Sequence, residues 1–97
     1  MTRIMMMYQK RIRDEVEREF ILEYYLLTDE VFFASNVLEI YGAEIRMVRP
    51  DGTVTSKRRL RGITPFGPRI TALIGQMAEG LVTPASMMDV VEDLIAL

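Results

Sequence analysis

The sequence contains no histidine, cysteine or tryptophan. Histidine and cysteine are the side chains that most often supply nucleophiles, general bases and transition-metal ligands near neutral pH. Without cysteine the redox compartment cannot be inferred from thiols. No apolar run reaches the roughly 18 residues of a membrane-spanning helix, and the short start Met1–Met7 does not fit a signal peptide. These absences predict a cytoplasmic protein that is not an enzyme, uses no cofactor and makes no membrane contact.

What is present is typical of one globular domain. The 97 residues are 49% hydrophobic and 27% charged, which is close to the globular average, and the length fits a single domain over residues 1–97. Residues 1–19 are interpreted as part of it or as a flexible or helical N-terminal extension. Repeated methionines leave the true start open among four positions: Met1, Met5, Met6 and Met7.

The N-terminal segment has two interpretations. Apolar residues recur there at helical spacing: Met5, Tyr8, Ile12 and Val16. Asp14 can also pair with Arg18 four residues later, as on a helix surface. The spacing therefore predicts a short amphipathic helix, and a ragged N-terminal strand is the alternative.

The middle of the chain is rich in β-prone residues. Residues 20–27 predict one strand, and residues 37–48 predict a second. The second changes the parity of its apolar residues at Gly42, which predicts a β-bulge or bend there. Residues 49–53 form a Pro-Asp-Gly turn. A third strand, over residues 53–61, carries so many bases that it is expected at the edge of the sheet.

Two helices follow. Thr64-Pro65 is typical of a helix start, and an apolar stripe follows at helical spacing: Ile70, Leu73, Ile74 and Met77. Gly80 predicts a left-handed end, and Thr83-Pro84 begins a second amphipathic helix. The order predicts an α+β fold, with a three-stranded antiparallel sheet packed against a C-terminal helical hairpin and an N-terminal helix as an optional element.

Three segments also carry a resemblance. Residues 24–27 (Tyr-Tyr-Leu-Leu), residues 41–45 (Tyr-Gly-Ala-Glu-Ile), and Val-Thr-Pro at 82–84 followed by Asp-Val-Val-Glu-Asp at 89–93 define it. This set resembles a family of short proteins from gut and soil Firmicutes that forms a domain of unknown function. The resemblance covers roughly residues 20–96 and implies no activity and no functional residues.

Charge is distributed in blocks along the chain. Residues 14–44 are strongly acidic, and residues 46–61 are strongly basic. The acidic candidates for partner contact are Asp14, Glu15, Glu17, Glu19 and Glu23. The candidates for an anion or nucleic-acid patch are Arg46, Arg49, Lys57, Arg59 and Arg61. Such blocks indicate either a polarised surface or acidic and basic strands that neutralise each other within a sheet.

Two functions from different classes are consistent with this pattern. The first is a small interaction protein that binds another protein, as a homodimer or with an unrelated partner. Its size, acidity and missing chemistry match the general profile of phage and mobile-element inhibitors of nucleic-acid enzymes, such as anti-CRISPR proteins, by analogy alone. The alternative is nucleic-acid binding through the basic hairpin Arg46–Arg61.

Overall fold

The chain forms a four-stranded antiparallel meander followed by two short helices. A computed structural model describes residues 1–95. The sheet order is β1-β2-β3-β4, and each strand pairs with the next along the chain. The elements are β1 (Thr2–Arg13), β2 (Glu19–Phe33), β3 (Asn36–Val48), β4 (Val54–Thr64), α1 (Gly67–Glu79), a 3₁₀ turn (Pro84–Ser86) and α2 (Met87–Ile95).

The α+β class is correct, but the prediction of three strands is wrong, and the N-terminal segment forms a strand, which was the alternative to the helix. Residues 2–13 form the extra strand, β1, which pairs with β2 along its length. Its register shifts between Met6 and Tyr8. The additional residue, Met7, places Met5 and Tyr8 on the same side of the sheet although they are three positions apart. A β-bulge therefore produces the spacing that looks helical in the sequence.

The irregularity predicted at Gly42 exists, but the extra residues lie on β4. The β2–β3 register runs unbroken through Gly42, whereas Ala43 pairs with Leu60 and Tyr41 pairs with Thr64. Residues 61–63 of β4 are thus opposite Gly42 alone. Because β3 itself does not bulge, Leu38 stays on the face of the sheet opposite to Ile45. Leu38, which was expected on the core side, is therefore exposed.

The two helices form largely as the sequence predicts. α1 begins two residues later than expected, with Phe66 as its N-cap and a proline in its first turn. The Thr64 hydroxyl accepts a hydrogen bond from the Phe66 N–H at 3.2 Å. Gly80 is not left-handed (φ −83°); the left-handed residue is Leu81 (φ 53°). Within the described residues, no helix has the length and apolar character needed to span a membrane.

The core lies between the helices and one face of the sheet. Leu22, Tyr24 and Ile45 are fully buried beneath the helices. The predicted apolar stripe of α1 forms the other side of the contact. All four of its residues are buried: Ile70, Leu73, Ile74 and Met77. Met87 and Val91 of α2 complete the cluster. The helices therefore cover one face of the sheet, and we call the other its open face.

Candidate functional site

The open face carries a ladder of polar and charged side chains. Directly paired residues of neighbouring antiparallel strands lie on the same face, so the register places Gln9, Glu23, Arg46 and Lys57 in one row. The next row contains Met6, Tyr25, Glu44 and Arg59. The two rows bring the acids of β2 and β3 beside the bases of β3 and β4.

Glu44 is the buried centre of this ladder. It is only 1% exposed. Arg46 donates Nε–H to one of its carboxylate oxygens, and Arg59 donates Nε–H to the other at 2.6 Å. Burial by itself raises the pKa of Glu44, but the hydrogen bonds from the two arginines outweigh it, so the pKa is lowered overall. The carboxylate is therefore held charged between two cations.

A second buried carboxylate, Asp29, lies on β2 beside the first residue of β1, Thr2. The Arg61 guanidinium donates to both of its oxygens, at 2.9 and 3.2 Å, and the Thr2 hydroxyl donates a third hydrogen bond. These hydrogen bonds, led by those from Arg61, lower the pKa of Asp29 to about 2. This cluster connects β1, β2 and β4, although β3 separates the last two.

Tyr25 connects the two rows. Its hydroxyl donates to Glu23 at 2.7 Å, and the Arg46 guanidinium lies 4.3 Å from its ring centroid, in a cation–π contact. Burial, together with the hydrogen bond to Glu23, raises the pKa of Tyr25. The ring is covered by a cation, so its face is not free to stack on a base.

The predicted basic patch is assembled in part and neutralised in part. Arg46 and Arg59 pair with Glu44, and Arg61 pairs with Asp29. Arg49 lies in the turn after β3, and Lys57 lies on the edge strand. Among residues 1–95 neither of these two forms a salt bridge. Three of the five predicted bases therefore already have carboxylate partners within the sheet.

The predicted acidic residues lie in and beside the turn between β1 and β2, and most of them are also paired. The contacts are Asp14 with Arg18 at 2.9 Å, Glu17 with Arg13 at 3.9 Å, Glu19 with Arg11 at 2.9 Å and Glu23 with Tyr25 at 2.7 Å. Glu15 is exposed and forms no salt bridge in the described part of the chain. The acidic run is thus mainly the complement of the bases on β1 and the following turn.

A projecting hairpin is the feature that the sequence analysis missed. Pairing of β2 with β1 ends at Asp29, and pairing of β3 with β4 ends at Tyr41. Beyond these points β2 and β3 pair only with each other, from Glu30↔Glu39 to Phe33↔Asn36. We call residues 30–39 the arm. All of them are exposed.

The arm is apolar on both faces. Its large exposed side chains, with their exposed fractions, are Val31 40%, Phe32 80%, Phe33 70%, Val37 54% and Leu38 47%. Its tip is a two-residue turn, in which Ala34 and Ser35 both have positive φ (49° and 66°), as tight β-hairpins of the primed types require. One ion pair supports its base, between Arg3 and Glu39 at 2.8 Å.

One sequence signal could have revealed the arm. Thr28–Glu30 looks like a break between strands, but β2 continues through these residues to Phe33. The stretch Val31-Phe32-Phe33 and the stretch Val37-Leu38 flank Ala-Ser-Asn at the turn, a pattern typical of a hairpin. Its exposure could not be read from the sequence, because consecutive apolar residues normally indicate a buried strand.

The concave sites are open surface depressions of about 420–530 Å³ and one smaller, more enclosed cavity. A cavity of about 120 Å³ lies where β4 meets the helices, lined by residues that include Ile63, Leu73 and Leu94. No group of three or more acidic side chains that could hold a metal ion occurs within residues 1–95. The arm and the polar ladder are the two surfaces with a distinctive side-chain arrangement, and we take them as the candidate functional surfaces.

Comparison with known proteins identifies the family. A search of curated proteins and a search of solved structures each returned no match. A family of unknown function, DUF6514, matches residues 3–97. This match spans nearly the whole chain and confirms the resemblance to a domain of unknown function that the sequence motifs indicated. The chain therefore belongs to the DUF6514 family.

Proposed function

We propose that this chain is a non-enzymatic interaction protein that binds another protein through the arm. The observation that carries the proposal is the continuous exposure of residues 30–39, which include five large apolar side chains. Contiguous exposed apolar surface on a small protein is typical of a protein–protein contact. The missing histidine and cysteine further favour binding over catalysis.

The physical cost of the arm supports this function. An isolated two-stranded hairpin is marginally stable in water at best. Here it exposes Phe32 at 80% and Phe33 at 70%, which forfeits the hydrophobic gain of burying them. A partner that covers the two rings would recover that gain and would order the hairpin at the same time.

The proposal moves the contact surface away from the acidic run. Three of its five residues pair with arginines within the chain, so much of its charge is already compensated before a basic protein approaches. Inhibition of a nucleic-acid enzyme, by analogy with anti-CRISPR proteins, stays a prediction about the effect of this chain on a bound partner. It now depends on the arm.

Nucleic-acid binding through the basic hairpin remains the second candidate, and the contacts around it argue against it. Arg46, Arg59 and Arg61 would have to release buried carboxylates before they could neutralise phosphates. Arg46 also covers Tyr25, the ring that could otherwise stack on a base. Of the five predicted bases, Arg49 and Lys57 are the two without a carboxylate partner among residues 1–95, and two cations make a weak phosphate site.

A crosslinking experiment tests the proposal directly. A photoreactive phenylalanine analogue is placed at Phe32 in cells of the native host, and separately at Phe66, which is 64% exposed but lies before α1. We expect a protein adduct from position 32 that survives nuclease treatment, and none from position 66. Adducts to nucleic acid, or equal yields from the two positions, would contradict the proposal.

A further inference from the structure

We propose that the partner of the arm is a second copy of this chain, and that two arms pair edge to edge through residues 31–33 of β2. This inference rests on the proposed function, because it uses the arm as the contact surface. It adds the identity of the partner, the edge that is used and the register of the contact.

The first step is that β2 has a free edge within the arm. β1 fills the position beside β2 only as far as Thr2, which pairs with Asp29. The same register puts Met1 beside Glu30, and from Val31 to Phe33 the described residues place no chain in register on that side of β2. The backbone N–H and C=O groups that point away from β3 are therefore available to another strand.

The second step is that this edge lacks the protection that the other edges have. The outer strand β1 carries a bulge at Met7 and four bases: Arg3, Lys10, Arg11 and Arg13. The outer edge of β4 carries the basic stretch 57–61 and its own bulge opposite Gly42. Charges and bulges of this kind prevent unwanted strand pairing.

The free edge of the arm shows the opposite pattern. Its register with β3 is unbroken, and residues 31–33 contain no charge, proline or glycine. The free edge of β3 in the arm is more polar, since it includes Asn36 and Glu39. An unprotected, regular edge of three apolar residues is a template for antiparallel pairing.

The third step is that the edge is complementary to itself. In an antiparallel pair related by a two-fold axis perpendicular to the sheet, paired residues must share a face. A register centred on Phe32 meets this condition, with Phe32 opposite Phe32 of the second copy and Val31 opposite Phe33. Aromatic and β-branched cross-strand pairs of this kind are favourable.

Charge is compatible with the same register. Glu30 lies opposite Ala34 of the second copy, so the two Glu30 side chains are offset by four residues, or about 13 Å along the strands. Like charges therefore do not face each other across the new edge. A register centred on Phe33 would leave Val31 opposite Ser35, so the one centred on Phe32 covers the most apolar surface.

The buried area indicates a weak dimer. The phenylalanines at 80% and 70% exposure present on the order of 300 Å² of apolar surface per chain. A standard interface covers about 800 Å² per partner. Additional area comes from the other apolar residues of the arm and from the main chain, so the contact falls at the low end of the range. We expect a dimer that dissociates on dilution through the micromolar range.

Two measurements test the inference on the full chain. In sedimentation velocity from low micromolar to several hundred micromolar protein, we expect the monomer to convert to a dimer as concentration rises. Phe32→Glu should weaken association at least about tenfold, because it places like charges opposite each other at the axis. The matched control, Phe66→Glu, should leave association unchanged.

Disulfide trapping tests the register, because the chain has no cysteine of its own. Phe32→Cys should give a covalent dimer on mild oxidation, since opposite residues of an antiparallel pair lie within disulfide range. Phe66→Cys reports random collision. Val37→Cys, on the other strand of the arm, should crosslink no faster than Phe66→Cys. Faster crosslinking from Val37→Cys would overturn the assigned edge.

The outcomes separate this inference from the proposed function. A monomer at every concentration, with photocrosslinks from position 32 to an unrelated protein, overturns the second copy but leaves the arm as the binding surface. A dimer that Phe32→Glu does not weaken also overturns it. Absence of any adduct from position 32 overturns both.

Discussion

The Arg61 guanidinium on β4 donates two hydrogen bonds to the Asp29 carboxylate on β2, at 2.9 and 3.2 Å. The two side chains meet across the intervening strand β3. The crossing occurs at Gly42. A Cβ added there would lie 2.9 Å from the Arg61 Cα and 2.3 Å from the Leu60 carbonyl oxygen. The missing side chain therefore lets β4 bulge against β3 and brings Arg61 within reach of the far strand.

The Asp29–Arg61 pair predicts a dependence of stability on acid pH. The pKa of Asp29 is lowered from 3.8 to about 2 in the folded state, so unfolding takes up a proton between these values. The contribution of this ion pair to stability is present above about pH 4 and is lost as the pH falls toward 2.

Urea unfolding over this pH range should show a smaller loss of stability for Asp29→Asn than for the wild type. Glu15→Gln, at an exposed carboxylate, is the control. Identical pH profiles for Asp29→Asn and the wild type would contradict the prediction.

Gly42→Ala should be among the most damaging small substitutions. Its Cβ meets main-chain atoms at 2.3 and 2.9 Å, and main chain cannot move aside as a side-chain end can. We expect a loss of roughly 3 kcal/mol in the free energy of unfolding, at the upper end for overpacking.

Gly75→Ala in α1 is the matched control for Gly42→Ala. Its nearest contact would be the Tyr8 hydroxyl at 3.4 Å, and helix propensity should make it neutral or up to about 1 kcal/mol stabilising. Equal stabilities of the two variants, measured by chemical denaturation, would show that the bulge can relax.

The two arginines on Glu44 should act as a unit. Either Arg46→Ala or Arg59→Ala leaves one cation on a carboxylate that is 1% exposed, whereas the double variant leaves it buried and unpaired. The double variant should lose roughly 3–5 kcal/mol, which is more than the sum of the single losses. Adding Glu44→Gln to the double variant should recover part of that loss, because the amide has no charge to desolvate. Simple additivity in denaturant unfolding, with no recovery, would mean that solvent reaches Glu44.

Tyr24 anchors the loop between the helices to the sheet. Its buried hydroxyl donates to the Val82 carbonyl at 2.8 Å, so Tyr24→Phe should cost about 1 kcal/mol. Tyr8→Phe, at a ring that is 37% exposed, should cost less.

Burial also raises the pKa of Tyr24 to about 12 from the ordinary value of 10. The unfolded chain therefore releases this proton first, and stability falls as the pH rises from 10 toward 12. Tyr24→Phe should remove this part of the alkaline loss. A tyrosinate absorbance titration of the folded protein that shows Tyr24 ionising near 10 would contradict the assignment.

Local patterns account for the parts of the fold that were predicted well. The stripe of Ile70, Ile74 and Met77 is buried as its spacing indicates, because helix periodicity depends on neighbours in the sequence alone. The turn at residues 49–53 also forms, with Gly52 at φ 93°. The basic third strand is an edge strand, as its charge predicts.

The remaining features required long-range register. The spacing of Met5 and Tyr8 fits a helix or a bulged strand equally well, and only pairing with β2 decides between them. The bulge expected on β3 is on β4, because it depends on what lies opposite Gly42. The charge blocks could give either a polarised surface or strands that neutralise each other. Strand register decides between the two, and here it pairs Glu44 with Arg59.

The sequence by itself determined an α+β chain, two C-terminal helices, strands with an edge rich in bases, and a composition that lacks the commonest catalytic side chains. These properties follow from propensity, periodicity and residue type, which act over a few residues. The tertiary structure decided the fourth strand, the neutralisation of the basic patch and the exposure of the arm. Each of these depends on which strand ends first and on what lies opposite a residue, and strand register is a property of the whole sheet.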